Sequence, residues 1–529
     1  MTTTESNKRI VLLTAGLGAR LGILTEKRNK ALISIKNKAI ISYIIDRLPK
    51  DAPIVVALGY YGDRVKQFLE IAYPERKFYF QFIDPYKGPG SSSGVSLLQL
   101  KPYLPGPFIF CTNDTIVMED VEFEGRNWVG VARSDDIDRY TTFSLYGDKI
   151  TKVCRKGESG GDVAYIGLAE INNYQDFWKS LEGGLRKNPE ASDIEGLYGL
   201  LENNLFPKNF TWFDTGTKEK YDEVVKFFGK GGFTLPKENE DLFLVGKSVI
   251  KFFADSEKCG QRIERAKILK GLVPDIEAFS SNLYCYKWVS GRTFFEAVTP
   301  ENLKLCLEWA EKNLWIKKEI DKKIFTEMNK EFYSNKTLSR LEKLFEKGWI
   351  ADGEYIINGE KCRKPKEVID LLPESFYESG VPCRIHGDFC SENIVVTHDN
   401  KFVLLDWRQD FAGNLEVGDL YYDLAKLYHG LIVSDEYIKT DLYRTEIKGS
   451  SVKLDFALHY QNRECIRLLE KWVFDHKLSV ERLRTITALV YLSMSPLHHY
   501  PYNQFLFFLG TQLLNRVIKR EGDQDFRFI

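Results

Sequence analysis

Two groups of residues in this 529-residue chain have the types and spacing that phosphate chemistry needs. In the first, a short apolar run ends at Ala15 and opens into Gly16-Leu-Gly18-Ala-Arg20, with Lys30 ten residues further on. Glycines let the backbone turn successive N–H groups toward one point, and an Arg and a Lys add charge there, which suits a triphosphate. In the second, His386-Gly-Asp388 is followed five residues later by Asn393, and then by Asp406 in Leu405-Asp406-Trp407. That set supplies a carboxylate to take a hydroxyl proton and two groups able to hold a metal against phosphates. A dinucleotide fingerprint is the rival for the first group. The glycines run Gly16, Gly18, Gly22, one residue off that pattern, and no acid closes the next strand at Leu58-Gly59.

These residues need elements to hold them. From Arg9 to about Phe228, short β-rich runs (Ile10–Thr14, Ile54–Leu58, Phe78–Ile83, Phe108–Cys111, Trp128–Val131) alternate with helical patterns such as Ile40–Leu48. The alternation predicts an α/β fold with a mainly parallel, doubly wound sheet. Gly229-Lys-Gly231-Gly232 and then Pro236-Lys-Glu-Asn-Glu read as an interdomain break, giving domains 1–230 and 240–529. Two domains agree with a length beyond the roughly 250–300 residues that one core sustains. After the break, Leu242–Val245, a Gly246-Lys247 turn and Val249–Phe253 predict a hairpin, with a helix over Glu257–Leu269 behind it. Helical periodicity dominates from Glu301, interrupted by a strand at Phe402–Leu405 and ending with a packed helix at Phe505–Arg516.

Composition narrows the class. Lys plus Arg number 74 against 75 for Asp plus Glu, so no basic surplus exists for nucleic acid or an anionic membrane. The nine cysteines include no C-x-x-C pair and no zinc spacing, which predicts reduced thiols. Met1–Lys8 is polar with no apolar h-region of signal-peptide kind behind it, and no stretch reaches the roughly 18 apolar residues of a spanning helix, so a cytoplasmic protein is expected. A homo-oligomer is left open.

The ordered run Leu13-Thr-Ala-Gly-Leu-Gly-Ala-Arg20-Leu, Thr25, Lys30-Ala-Leu-Ile, Asn37-Lys38 and Ile40-Ile41 resembles the sugar nucleotidyltransferases, the nucleotidyl pyrophosphorylases. That resemblance implies that Arg20 and Lys30 stabilise the α-phosphate and departing pyrophosphate, and that Asp114 and Asp214 hold Mg²⁺. Lys156 stands where the family places a lysine on the acceptor phosphate. The family usually has Pro where Asn29 precedes Lys30, and Gly88-Pro-Gly90-Ser-Ser-Ser-Gly94 replaces its second glycine-rich loop, so an atypical substrate side is expected. Asp84 lies near the position where uridylyl and thymidylyl enzymes read the base. A carboxylate there accepts from the exocyclic amine that cytosine and guanine carry, which favours CTP, then GTP, unless Asp84 only caps a turn. The pattern Asp84-x-Tyr86 with Ser96-Leu97 is also similar to phosphocholine cytidylyltransferases.

Arg384-Ile-His386-Gly-Asp388-Phe-Cys-Ser-Glu-Asn393-Ile with Val403-Leu-Leu-Asp406-Trp-Arg408 resembles the aminoglycoside phosphotransferase and choline kinase superfamily. This implies a bilobal kinase-like α+β domain in which Asp388 is the catalytic base and Asn393 and Asp406 hold Mg²⁺. Lys251 is then the phosphate-binding lysine and Glu264, or else Glu257, its ion-pair partner. Gly418-Asp419 and Asp423 match the family's Gly-Asp-x-x-x-Asp helix and are expected to brace the catalytic loop.

Together the two resemblances imply a bifunctional enzyme. It would phosphorylate a small sugar, polyol or amino alcohol from ATP, then couple that phosphate to a nucleotide from a second NTP, giving an activated precursor for surface polysaccharide. The alternatives are an active nucleotidyltransferase carrying a non-catalytic kinase-like sensor, and a resistance phosphotransferase with an acidic pocket for cationic drugs.

Overall fold

A computed structural model describes residues 7–229, 239–433, 440, 442–458 and 460–518. The glycine- and proline-rich break at 230–238 lies outside the described residues. The chain divides into two compact units, Met1–Ser256 with Glu277–Cys285, and Glu257–Ile276 with Tyr286–Ile529.

The first unit is built on a nine-stranded mixed sheet. Arg9–Leu13 lies at its centre, parallel to Ile54–Leu58 on one side and to Phe108–Thr112 on the other, with Leu12 opposite both Val56 and Cys111. Phe78–Phe82 continues the parallel core, whereas Val163–Ile171 runs antiparallel to Phe108–Thr112 and opens a second, antiparallel half. Alternation along the central strands explains their unbroken apolar runs. Ile10, Leu12, Ile54, Val56 and Leu58 enter one core, while Val11, Val55 and Ala57 enter another on the opposite face. A sheet buried on both faces leaves no position for a polar residue, and this is the doubly wound arrangement. Loops leaving the carboxyl ends of the parallel strands are where such sheets collect their chemistry.

The hairpin Glu240–Val245 and Ser248–Phe253 forms as expected, with Leu242 opposite Lys251, in a four-stranded sheet. It packs within the first unit. Phe243, Ile250 and Phe252 join that unit's core, Phe243 meets Phe68 edge-on at 5.1 Å, the Leu244 N–H donates to Asn37 O at 2.7 Å, and Arg28 pairs with Asp241. The first unit therefore runs past the break at 230–240.

The second unit is mainly helical. It carries a three-stranded sheet of Gly291–Thr293, Ile394–Thr397 and Phe402–Leu404. The helix Leu420–Ile432 is buried along its whole length and is capped by Asp419, whose carboxylate accepts from the Tyr421 N–H. Among the described residues no helix is long and apolar enough to cross a membrane.

Candidate active sites

In the first unit the glycine turn leaves the strand Arg9–Leu13 and closes at Gly18, whose φ of 66° is the left-handed region open to glycine. A short 3₁₀ turn, Lys30–Leu32, then presents Lys30. Asn29, in place of the family's proline, is what holds that turn. Its side-chain amide donates to Thr14 O (2.8 Å) and Tyr60 O (2.6 Å) and its oxygen accepts from the Ala31 N–H (2.8 Å), all in the protein interior. Asn29→Ala leaves those two carbonyls without their donor. Stability is expected to fall by about 1–3 kcal/mol in chemical denaturation, with a larger proportional loss of nucleotidyl transfer as Lys30 loses its anchor.

Lys30 Nζ lies 2.7 Å from Asp114 Oδ2. Asp114 sits just past the end of Phe108–Thr112. The strand Thr115–Val117 pairs with Trp212–Asp214 in a register that sets Asp214 opposite Thr115, and the Thr215 N–H donates to Asp114 O at 3.0 Å. The two carboxylates thus converge at Gly216. A Cβ there would lie 2.8 Å from Asp214 Oδ1, too close to be tolerated without a shift, and in ordinary contact with Asp114 Oδ2 at 3.4 Å and Arg20 Nη2 at 3.7 Å. Tyr140 Oη donates to Asp214 Oδ2 at 2.9 Å. Burial alone would raise the Asp114 pKa, but the Lys30 charge and hydrogen bond, Thr112 and the Arg20 charge together bring it down to about 2. Asp114 is a permanent anion at neutral pH.

Asp84 is exposed, and only its backbone is fixed, by Gln99 (N–H to Oε1 3.2 Å, Nε2 to O 2.9 Å). Its carboxylate makes no turn-capping bond. Lys156 is exposed in the turn that follows Lys149–Cys154.

In the second unit Asp388 is gripped from two sides. Asn393 Nδ2 donates to Asp388 Oδ2 at 3.1 Å and to its carbonyl at 3.0 Å. Lys426 Nζ lies 2.8 Å from Oδ1, with the Lys426 side chain only 8% exposed. Burial disfavours the Lys426 charge, but the Asp388 carboxylate outweighs it and the net shift is upward. His386 is fully buried. Its Nδ1 accepts from the Asp388 N–H at 3.3 Å, and burial pulls its pKa down to about 4, so it is a neutral strut rather than a proton carrier at pH 7.

Asp423 accepts from the backbone N–H groups of His386 and Gly387, both at 2.7 Å, and from Trp315 Nε1 at 3.1 Å. Asp419 accepts from the Val381 N–H, Tyr333 Oη and Arg482 Nη2. Asp423 braces the loop, as expected, whereas Asp419 fixes Val381, Tyr333 and Arg482 and caps its own helix. Arg265, which the sequence reading passed over, braces the loop from inside: its guanidinium donates to the carbonyls of Ile385 and Leu415, each at 2.5 Å.

Asp406 adopts a left-handed backbone (φ 57°), and its Oδ1 pairs with buried Arg262 Nη1 at 2.7 Å. Arg262 comes from the helix Ser256–Ile268, whose inner face is Cys259, Arg262, Ile263, Arg265 and Ala266. Glu264 faces outward, half exposed, and pairs with Lys267 at 2.6 Å on its own helix. The role expected of Glu264 is corrected accordingly: helical phase turns it to solvent and gives the inner position to Arg262. Lys251 is buried in the strand Ser248–Phe253 of the first unit.

Among the described residues no group of three or more His, Cys, Asp and Glu could hold a metal. The pairs present do fit Mg²⁺, which is bound through one or two carboxylates together with substrate phosphates. Asp114 and Asp214 converge as oxygen donors, and Asn393, whose nitrogen is committed to Asp388, has its amide oxygen left for a cation beside Asp406.

Both parts of the chain are similar to transferases of phosphorus-containing groups. Residues 340–445 match the phosphotransferase enzyme family APH. Over 150 residues the chain is 29% identical to the bifunctional protein GlmU of Methanococcus vannielii, a stretch covering 28% of this chain and 34% of that protein. Against GlmU of Methanococcus maripaludis it is 27% identical over 195 residues, 36% of this chain and 42% of that protein. The chain thus spans less than half the length of these curated relatives.

Among solved structures it is similar to the CTP:phosphocholine cytidylyltransferase LicC of Streptococcus pneumoniae, with 19% identity, 42% of this chain and 99% of that chain covered, and a TM-score of 0.36. It is also similar to the inositol-1-phosphate CTP transferase of T. maritima, with 14% identity, 43% and 98% covered, and a TM-score of 0.35. The chain combines a sugar nucleotidyltransferase-like domain with an APH phosphotransferase domain.

Proposed function

We propose that the two domains act in sequence, with the functional boundary in the break at 230–240. The C-terminal domain phosphorylates a hydroxyl of a small acceptor from ATP, and the N-terminal domain joins that phosphate to a nucleotide from a second NTP, releasing pyrophosphate. Asp388 takes the proton of the attacking hydroxyl, while Lys426 and Asn393 fix its carboxylate. Lys251 serves the ATP phosphates. Arg20 and Lys30 lower the repulsion between an attacking phosphate oxygen and the α-phosphate, so no protein nucleophile is needed. Mg²⁺ would be held by Asp114 and Asp214 in one domain and by Asn393 and Asp406 in the other, where it supplies charge neutralisation of the phosphates. The exposed, uncommitted carboxylate of Asp84 favours CTP, then GTP. The product is an NDP-activated precursor of the kind used for surface polysaccharide.

The observation that carries this reading is that each domain brings its own charge set together: Arg20, Lys30, Asp114 and Asp214 around Gly216, and Lys426, Asn393 and Asp388 on one loop. The test incubates the protein with Mg²⁺, ATP and each of CTP, GTP, UTP and dTTP against sugars, polyols, choline and their phosphates, following pyrophosphate and product mass. An NDP-linked product from an unphosphorylated acceptor supports the sequence. Reaction of ready-made phosphates alone favours the second reading, a kinase-like sensor, for which the Arg262 pairing of Asp406 speaks.

A further inference from the structure

A cluster of basic residues lies beside the Gly387 turn of the second unit. The helices Lys322–Lys330 and Lys336–Glu346 are continuous through a π-helical turn, Glu331–Asn335, a widened geometry that often marks functional positions. It places Lys336 over the Phe332 ring and 5.9 Å from the Tyr422 ring. Arg408 approaches the same Phe332 ring at 4.9 Å. Arg408 is tied to the catalytic loop: its N–H donates to His386 O at 3.1 Å, and its Cβ would be 2.7 Å from a Cβ on Gly387. One turn along the helix from Lys336, Arg340 Nη1 donates to Ser493 O (3.1 Å) and Oγ (2.8 Å). The next residue, Met494, has its sulfur 3.8 Å from Lys426 Nζ, the ammonium that holds Asp388. The cluster is therefore tied to the catalytic loop through Arg408 beside Gly387, and linked to Lys426 through Ser493-Met494.

Among the described residues none of the three has a carboxylate in ion-pair contact. The nearest acids are engaged elsewhere: Asp410 accepts from the Gly413 N–H at 2.7 Å and Glu331 from Asn335 Nδ2 at 2.8 Å. Burial, together with the charges of Arg408 and Arg340, pushes the Lys336 ammonium well below its usual range. Cations gathered in a half-buried place, with aromatic faces and neutral oxygens (Ser493 for Arg340, the Asp410 carbonyl for Arg408) rather than carboxylates as partners, lack an anion. This is the reverse of the acidic pocket that a cationic aminoglycoside or choline would require.

Resting on the kinase reading above, we infer that the acceptor of this domain carries an anionic group, a carboxylate or a phosphate monoester, which Lys336, Arg340 and Arg408 bind while its hydroxyl faces Asp388.

The test gives the full chain Mg²⁺-ATP and matched acceptors: glycerol, glycerate and glycerol 3-phosphate; glucose, glucuronate and glucose 6-phosphate; and choline. ADP formation and product mass are followed. The expected result is a kcat/KM at least about tenfold higher for an anionic acceptor than for its neutral counterpart, the response to carboxylate or to phosphate naming the group. Lys336→Met and Arg340→Met raise the KM for that acceptor at least about tenfold while changing the KM for ATP far less. Inorganic phosphate inhibits the unmodified protein competitively against acceptor and not against ATP, a readout independent of how the variants fold. Equal or better phosphorylation of neutral acceptors or choline overturns the inference and leaves the kinase standing. An unchanged acceptor KM in both variants, or phosphate competing with ATP instead, also overturns it. Failure of every acceptor removes the kinase reading and the inference with it.

Discussion

Asp388→Asn is expected to lower phosphorylation of the acceptor by about 10²–10⁴ while nucleotidyl transfer to a supplied phospho-acceptor continues. The amide keeps the shape of the side chain but cannot take a proton, so the loss falls on the chemical step and appears in kcat rather than KM. A structural cost accompanies it, because Lys426, whose side chain is 8% exposed, loses its carboxylate. Removing one partner of a buried pair costs about 3–5 kcal/mol, and with Asp388 30% exposed to water the loss here should be nearer 1–2 kcal/mol. The double variant Asp388→Asn/Lys426→Met separates the two effects. Thermal unfolding should recover toward the starting value while the rate does not. A residual activity above about a tenth in folded Asp388→Asn would sink the assignment of the base.

Asp114→Ala should do the converse, lowering pyrophosphate release by about 10²–10³ while ATP-dependent phosphorylation continues. Asp114 is the residue at which Lys30, Thr112 and the Arg20 charge meet, so its loss both removes an oxygen donor and releases Lys30. The pH behaviour gives an independent check. Its folded pKa, about 2, lies below the ordinary value near 4, so the stability it contributes is fully present above about pH 4 and is lost as pH falls through about 2. Unfolding followed across that window should show a shallower acid limb in Asp114→Ala than in the unmodified chain. If either substitution abolished both activities in folded protein, two independent sites would be wrong.

The residues legible in the sequence are those whose placement is set by a few neighbours along the chain. Arg20, Lys30 and the Asp388-to-Asn393 spacing belong to single loops, and the strand runs around Ile10, Ile54 and Phe108 are too apolar to be anything but a sheet buried on both faces. What escaped depends on where distant elements meet. Lys426 reaches Asp388 from another helix, and nothing in Asp423-Leu-Ala-Lys426 marks it as more than a surface lysine until the helix is seen to be buried throughout. Glu264 was misplaced by phase: helical periodicity identifies the helix but not which of its charged residues faces inward, and Arg262 holds that position. Asn29 was visible as a departure from a family pattern, but its meaning lies in carbonyls of Thr14 and Tyr60 that only the folded chain brings to it.

The hairpin from Glu240 to Phe253 has a consequence for how this chain can be divided. Its apolar residues Phe243, Ile250 and Phe252 are spent on the core of the first unit, together with Phe68, and Lys251 lies on the same strand as Ile250 and Phe252. The proposed functional boundary and the edge of the folded unit thus fall in different places. Scissors applied at residues 230–240, where the sequence invites them, would strip a greasy face bare on the kinase fragment and leave a matching hollow on its neighbour. Neither piece would be a self-sufficient enzyme.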